Sequence, residues 1–358
     1  DDAQVQFVSR VPLRYMTLPA AKPRRRAAGS STTATTPPAP SGLWNLLKVQ
    51  WAVARNKHGF VDADDVKVAI LDTGVDAGHP DLTVAQYIHD HPDTPQLSGI
   101  KDIAGHGTHV AGTVAATIGN AAGINGICRC RLMCWKIFND ETTHIPSLGR
   151  FTYVVDPLMY QRALADCLDE DIDVINLSIG GTQPPDPQER QLLNALLANG
   201  TTIVAAMGNH RALGSPISYP AAVPDVIAVG ATSIDDSVAT FSNRGDHITV
   251  SAPGVSIWST MPTYAGQSGF DAVIGTGGAA KEGKAIPRET NYAALNGTSM
   301  ATPHVTGAVA LLVAKSGRQG PTATADALKT LSDHVAGMGN RDFHPDYGGG
   351  RLNLDRLL

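Results

Sequence analysis

Short apolar runs alternate along this chain with longer stretches in which apolar residues recur every three or four positions. Val66-Lys-Val-Ala-Ile-Leu71, Ile172-Asp-Val-Ile-Asn-Leu177, Thr201-Thr-Ile-Val-Ala-Ala206 and Val226-Ile-Ala-Val229 are rich in β-branched residues and poor in charge. Such runs predict strands buried on both faces. His109 to Ile118, Gln161 to Glu170 and Arg190 to Asn199 carry helical periodicity, and Gly200 stands where a left-handed residue would close the last of them. The alternation predicts an α/β fold, a three-layer sandwich with a mostly parallel central sheet and helices on both faces. In sheets of that kind functional groups collect beyond the carboxyl ends of the strands. Asp72, Ser178-Ile-Gly-Gly181 and Gly208-Asn209 occupy those places.

The alternation starts only at Leu43. Residues 27–42, AAGSSTTATTPPAPSG, have too little apolar surface to offset the entropy of ordering and predict a flexible linker. Before it, Val5 to Leu18 alternates enough for one strand. Residues 1–42 are therefore expected to be an N-terminal extension and an Ala/Ser/Thr/Pro-rich linker, and residues 43–358 the folded domain.

Composition narrows the partners. Across 358 residues the formal net charge is -5, with 42% hydrophobic and 17% charged residues, which excludes the basic footprint of a nucleic-acid binder. Arg24, Arg25 and Arg26 are read as a solvated or protease-sensitive stretch. No apolar run approaches the roughly 20 residues of a membrane span. The chain opens at Asp1 without a charged and then apolar leader, so a signal peptide is expected to be already removed or never present. Cys128, Cys130, Cys134 and Cys167 lack paired C-x-x-C spacing and are read as buried free thiols, not zinc ligands.

Four local blocks carry chemistry: Asp72 in AILDTGVDAGHPDL, His106 in GHGTHVAGT, Asn209 in VAAMGN and Ser299 in LNGTSMATPHVTG. Taken singly each has an ordinary structural use. Asp72 could cap the turn at Thr73-Gly74, Asn209 could be a turn residue and Ser299 a helix N-cap. Together they supply a hydroxyl nucleophile, a base, a carboxylate to orient the base and an amide donor for a developing oxyanion. The apolar run after Ser299 predicts a buried helix opening at the serine, which places backbone N–H groups beside the hydroxyl.

These blocks, in the order Asp, His, Ser, resemble the signatures of the subtilisin-like serine protease family. The resemblance runs from about Leu43 to Leu358 and takes in Phe241-Ser-Asn243, Ala252-Pro-Gly-Val255 and Tyr347-Gly-Gly-Gly-Arg-Leu-Asn353. It implies a subtilisin-like catalytic domain over 43–358, acting as a serine endopeptidase through an acyl-enzyme on Ser299. His106 would be the general base, Asp72 its orienting partner, and Asn209 with the Ser299 N–H the oxyanion donors. His109 matches the family's structural histidine. Ser178, Ile179 and Gly180 match the edge that pairs with an extended polypeptide substrate. Ala205, Ala206, Met207 and Gly208 match the wall of the pocket for the residue before the scissile bond, with Ser218 near its base and His210 and Arg211 beside it.

The same resemblance implies no cofactor for catalysis and a structural calcium site near Asp81, matched only loosely by Asn120 in Gly119–Gly123. The glycine-rich stretch between Pro262 and Asn291 departs from the family in length and is expected to be a passive surface loop. About forty residues before Leu43 are too few for the family's prodomain, so a mature or trimmed monomer is expected. Family habit favours secretion, whereas free thiols favour a reducing compartment. Other readings are a transpeptidase or macrocyclase on the same scaffold, a silent peptide binder, and a nucleotide-binding protein, the last lacking a phosphate-cradling glycine loop.

Overall fold

A computed structural model of the chain describes residues 12–16, 43–88, 101–120, 123–275 and 278–358. The whole of the 27–42 linker lies outside the described residues, as does the greater part of the alternation before it. The first described element is a two-residue strand, β1 (Tyr15–Met16), followed among the described residues by two short helices, α1 (Trp44–Lys48) and α2 (Trp51–Arg55). There follow β2 (Ala63–Asp72), β3 (Gln86–Ile88), α3 (His106–Ala115), β4 (Cys130–Lys136), β5 (Phe138–Ile145), β6 (Arg150–Val155) and α4 (Pro157–Asp169). Next come β7 (Val174–Leu177), β8 (Ile179–Gly180), α5 (Pro187–Ala198), β9 (Thr202–Ala206), β10 (Ile227–Thr232), β11 (Val250–Pro253) and β12 (Ile257–Met261). The last elements are β13 (Gln267–Ile274), β14 (Ala280–Pro287), β15 (Asn291–Leu295), α6 (Thr298–Ser316), α7 (Pro321–Thr330) and α8 (Leu354–Leu357).

Seven strands form a parallel sheet in the order β11-β10-β9-β7-β2-β4-β3. Strands β7, β9, β10 and β11 are buried throughout, and the two-residue period of β2 divides its side chains between two cores. Val68 and Ile70 pack with α3 and α6, while Ala69 and Leu71 pack with α4 and α5. This is the three-layer sandwich that the apolar runs predict. Strand order reverses around β2, so the crevice between the carboxyl ends of β2 and β7 is where a ligand site is expected.

Local chemistry sets the helix ends. α4 and α5 each open on Asp-Pro: Asp156 accepts from the N–H groups of Leu158 and Met159, and Asp186 from those of Gln188 and Glu189. α5 closes on Gly200 at φ +84°, as its sequence predicts. α3 spans His106–Ala115 rather than starting at His109, because Gly105 at φ +83° lets the chain turn into the helix three residues earlier.

A second, antiparallel sheet lies beside the first, in the order β14-β13-β6-β1-β8, with β5 also paired to β6. It corrects the expectation for the stretch after Pro262. That stretch is a hairpin, β13 against β14, and β13 continues the sheet through Phe270 opposite Phe151. Gly269, at φ +143°, permits this approach, since a Cβ there would lie 2.3 Å from the Phe151 carbonyl oxygen. Strands β12 and β15 form a separate antiparallel pair. Among the described residues no helix is long and apolar enough to cross a membrane.

Candidate active site

Asp72 ends β2 with its side chain buried, and its Oδ1 accepts from the Thr73 N–H and lies 2.7 Å from His106 Nδ1. His106 is the first residue of α3. That helix can start so near the strand end because a Cβ on Gly107 would fall 2.1 Å from the Gly74 carbonyl oxygen, a place only glycine can take. The imidazole's far nitrogen, Nε2, is buried and has no hydrogen-bond partner.

The turn before His106 is tied by a residue that the sequence motifs did not single out. Asp102 is fully buried and accepts from the Gly105 N–H, the Thr108 N–H, the Thr108 hydroxyl and the Thr73 hydroxyl. Burial pushes its carboxyl upward, and the Thr108 and Thr73 hydrogen bonds draw it back. An acidic residue just ahead of a helix start was the available signal. His109 points elsewhere: its Nε2 lies 2.9 Å from the Ile257 carbonyl and 3.2 Å from that of Ala293, a structural position.

Ser299 lies in the first turn of α6, one residue after the helix begins. Its hydroxyl donates to the Ser178 carbonyl at 3.0 Å, and the Ser178 hydroxyl donates to the Ser299 carbonyl at 2.9 Å. Asn176 Nδ2 donates to the Ser178 hydroxyl, and the Thr306 hydroxyl donates to Asn176 Oδ1. These bonds fasten the end of β7 to the start of α6. The Ser299 hydroxyl is thus engaged with Ser178 and not with His106.

Asn209 follows β9 and is held by its carbonyl, which accepts from the Thr298 N–H at 2.9 Å and the Thr298 hydroxyl at 3.0 Å. Its Nδ2 is buried without a partner. A buried amide donor and a buried imidazole nitrogen, both unpaired, carry a cost that a bound polar group would relieve.

The expected wall residues Ala205, Ala206, Met207 and Gly208 are buried at the end of β9, and Ser218 backs Gly208. Arg211 is not free beside them: it donates to the Ser242 carbonyl and pairs with Asp346. Ser178, Ile179 and Gly180 form the expected edge, and the chain's own segment lies on it. Tyr15 pairs with Gly180 and Met16 with Ile179, while Tyr15 also pairs with Val154 of β6.

At the expected calcium position the Asp81 carboxylate is met by donors, and Asn120 Oδ1 is buried without a partner. Asp81 accepts from Asn120 Nδ2, the Ile124 N–H and the Tyr292 hydroxyl. Its oxygens therefore face donors, whereas calcium needs about six or more converging oxygens. Among the described residues no group of three or more carboxylate, histidine or cysteine side chains converges. The four cysteines are free, and burial raises the thiols of Cys134 and Cys167 well above the ordinary range.

The subtilase family pattern matches residues 63–350. Subtilisin E of Bacillus subtilis is 32% identical over 306 residues, covering 85% of this chain and 68% of its own. Subtilisin DY of Bacillus licheniformis is 34% identical over 305 residues, covering 83% and 92%. Among solved structures, fervidolysin from Fervidobacterium pennivorans, described as a keratinolytic enzyme related to subtilisin, superposes with a TM-score of 0.68 at 28% identity. That match covers 96% of this chain, which spans about half, 51%, of the fervidolysin chain.

Proposed function

The chain belongs to the subtilase family, and from that premise we propose that it is a serine endopeptidase that cleaves extended polypeptides through an acyl-enzyme on Ser299. Ser299 Oγ exchanges the Ser178 carbonyl for His106 Nε2 by rotating about its Cα–Cβ bond. His106 takes the hydroxyl proton as Oγ bonds to the scissile carbonyl carbon, and Asp72 holds Nδ1–H so that Nε2 faces the serine. The carbonyl oxygen, now negative, accepts from Asn209 Nδ2 and from the Ser299 N–H at the start of α6. His106 then gives its proton to the departing amine as the C–N bond breaks. Water, deprotonated by the same nitrogen, bonds to the acyl carbon; the carbon–Oγ bond breaks and His106 returns the proton to Ser299 Oγ.

The observation that carries this reading is the pair of buried, unpartnered atoms, His106 Nε2 and Asn209 Nδ2, in a chain whose Ser299 stands in the first turn of a buried helix. They are the acceptor and the donor that the chemistry requires. Intact mass after exposure to a serine-directed fluorophosphonate tests it. One adduct is expected on the wild-type chain, none on Ser299→Ala, and strongly slowed labelling on His106→Ala. An adduct that persists in Ser299→Ala would overturn the assignment.

A further inference from the structure

The edge formed by β8 already holds a peptide, the chain's own residues 13–16, and the way it is held bears on which polypeptides the enzyme selects. β1 lies between β6 and β8, antiparallel to β8. In this register a bound chain puts one residue opposite Gly180, the next opposite Ile179 and the next opposite Ser178. The Ser178 carbonyl is the acceptor of the Ser299 hydroxyl, so the residue opposite Ser178 is the one whose carbonyl meets Ser299. Arg14 lies one residue before Tyr15 and therefore occupies the place three residues ahead of the scissile one.

The Arg14 side chain is among the most deeply buried large side chains described, at 1% exposure. Its Nη2 lies 3.0 Å and 3.2 Å from the two carboxylate oxygens of Glu189, and its Nη1 donates to the Gln183 carbonyl at 2.8 Å. Its backbone is held as well: the Val155 N–H donates to the Arg14 carbonyl, and the Leu13 N–H donates to Gln183 Oε1. Gly181 leaves room for this, since a Cβ there would meet the Leu13 carbonyl oxygen at 2.1 Å. Glu189 sits in the first turn of α5, behind the Asp186 cap, and is itself buried.

A carboxylate buried in this way is costly unless a cation with matching donors meets it. The planar guanidinium meets both oxygens at once. An aliphatic side chain in the same place would leave the charge unpaired, and a carboxylate would oppose it.

Resting on the endopeptidase reading, we propose that the Arg14 cavity is a substrate subsite and that Glu189 makes it select arginine three residues ahead of the scissile residue. Residues 13–16 occupy that subsite as an internal competitor. Gly180, Ile179 and Val154 supply backbone pairing that any sequence can use. Glu189 supplies the discrimination.

The test uses the full chain and fluorogenic peptides that differ only at that position, carrying arginine, leucine or glutamate. Wild-type enzyme is expected to favour arginine over leucine in kcat/KM by on the order of 30-fold or more, with glutamate poorest. Glu189→Gln is expected to collapse the arginine-to-leucine ratio towards one; because the ratio is read within one variant, any loss of folded enzyme cancels. Arg14→Glu, which sets two carboxylates against each other, is expected to free the edge and speed fluorophosphonate labelling of Ser299. Equal cleavage of the arginine and leucine peptides by wild type, with Ser299 labelled normally, would overturn the subsite alone. Absence of Ser299 labelling in both wild type and Arg14→Glu would instead sink the endopeptidase reading, and the subsite with it.

Discussion

The two sheets of this molecule are made of different material and do different work. The parallel sheet is built around strands that are buried on both faces, and the candidate chemical groups stand at its carboxyl end: Asp72 as the last residue of β2, Ser178 after β7, Asn209 beyond β9. The antiparallel sheet is assembled from chain segments as far apart as residues 15 and 287, with much of its outer hairpin exposed. Strands of the first kind must be covered on both faces, and their burial fixes register and position. Strands of the second kind need bury only one face, which leaves them free to accept a peptide as a further strand. On the proposed reading, chemistry rests on the parallel sheet and recognition on the antiparallel one.

The sharpest test of this division is Ser299→Ala. On the parallel-sheet side it should cost on the order of 10⁶-fold in kcat, the scale measured for subtilisin itself, while the Tm hardly moves. A thermal scan beside a peptide assay would read both. Asn209→Ala comes next, with an expected loss of about 10²- to 10³-fold in kcat, again the scale known from subtilisin, and little change in KM. A matching rise in KM would point to substrate binding instead of oxyanion stabilisation.

Stability should divide in the same way. Ile70 is 1% exposed in β2, and Ile70→Ala should destabilise the fold by about 2–5 kcal/mol in chemical denaturation. The pH dependence follows from two buried histidines on the α3 and α6 side of the parallel sheet. Burial lowers His109 to about 3 and His304 to about 4. Both lie below the unfolded value near 6.5, so between those values the unfolded chain binds more protons and stability falls as pH falls. The Tm should be level above pH 7 and decline below 6.5, the unfolding free energy falling by at most about 1.4 kcal/mol per pH unit for each histidine. A Tm that stays level down to pH 5 would contradict that. The smallest effect belongs to the antiparallel hairpin: Val273 is 55% exposed, and Val273→Ala should change stability by less than about 0.5 kcal/mol. A larger loss would mean that the hairpin carries the core after all.

Local pattern made the parallel half legible. Each strand, helix stop and candidate group there belongs to a contiguous stretch: Leu71 beside Asp72, Gly105 and Gly107 around His106, Gly208 before Asn209, Thr298 before Ser299. Asp102 was within reach of the same reasoning, standing just before a helix start, yet only its four hydrogen bonds reveal its use. The hairpin at 267–287 read as a loop because its glycines and exposed polar residues break the alternation that marks a strand.

By itself, then, the sequence determined the α/β alternation and the positions of Asp72, His106, Asn209 and Ser299 along it, while the edge at Ser178–Gly180 was implied by the family resemblance. Each depends on residues close together in the chain, where periodicity and turn chemistry act. The tertiary structure alone decided that Tyr15–Met16 lies on that edge and that Arg14 meets Glu189 across 175 residues. A two-residue strand has no period to read, and an ion pair so distant leaves no local trace. Both exist only because the burial of two separate segments brings them together.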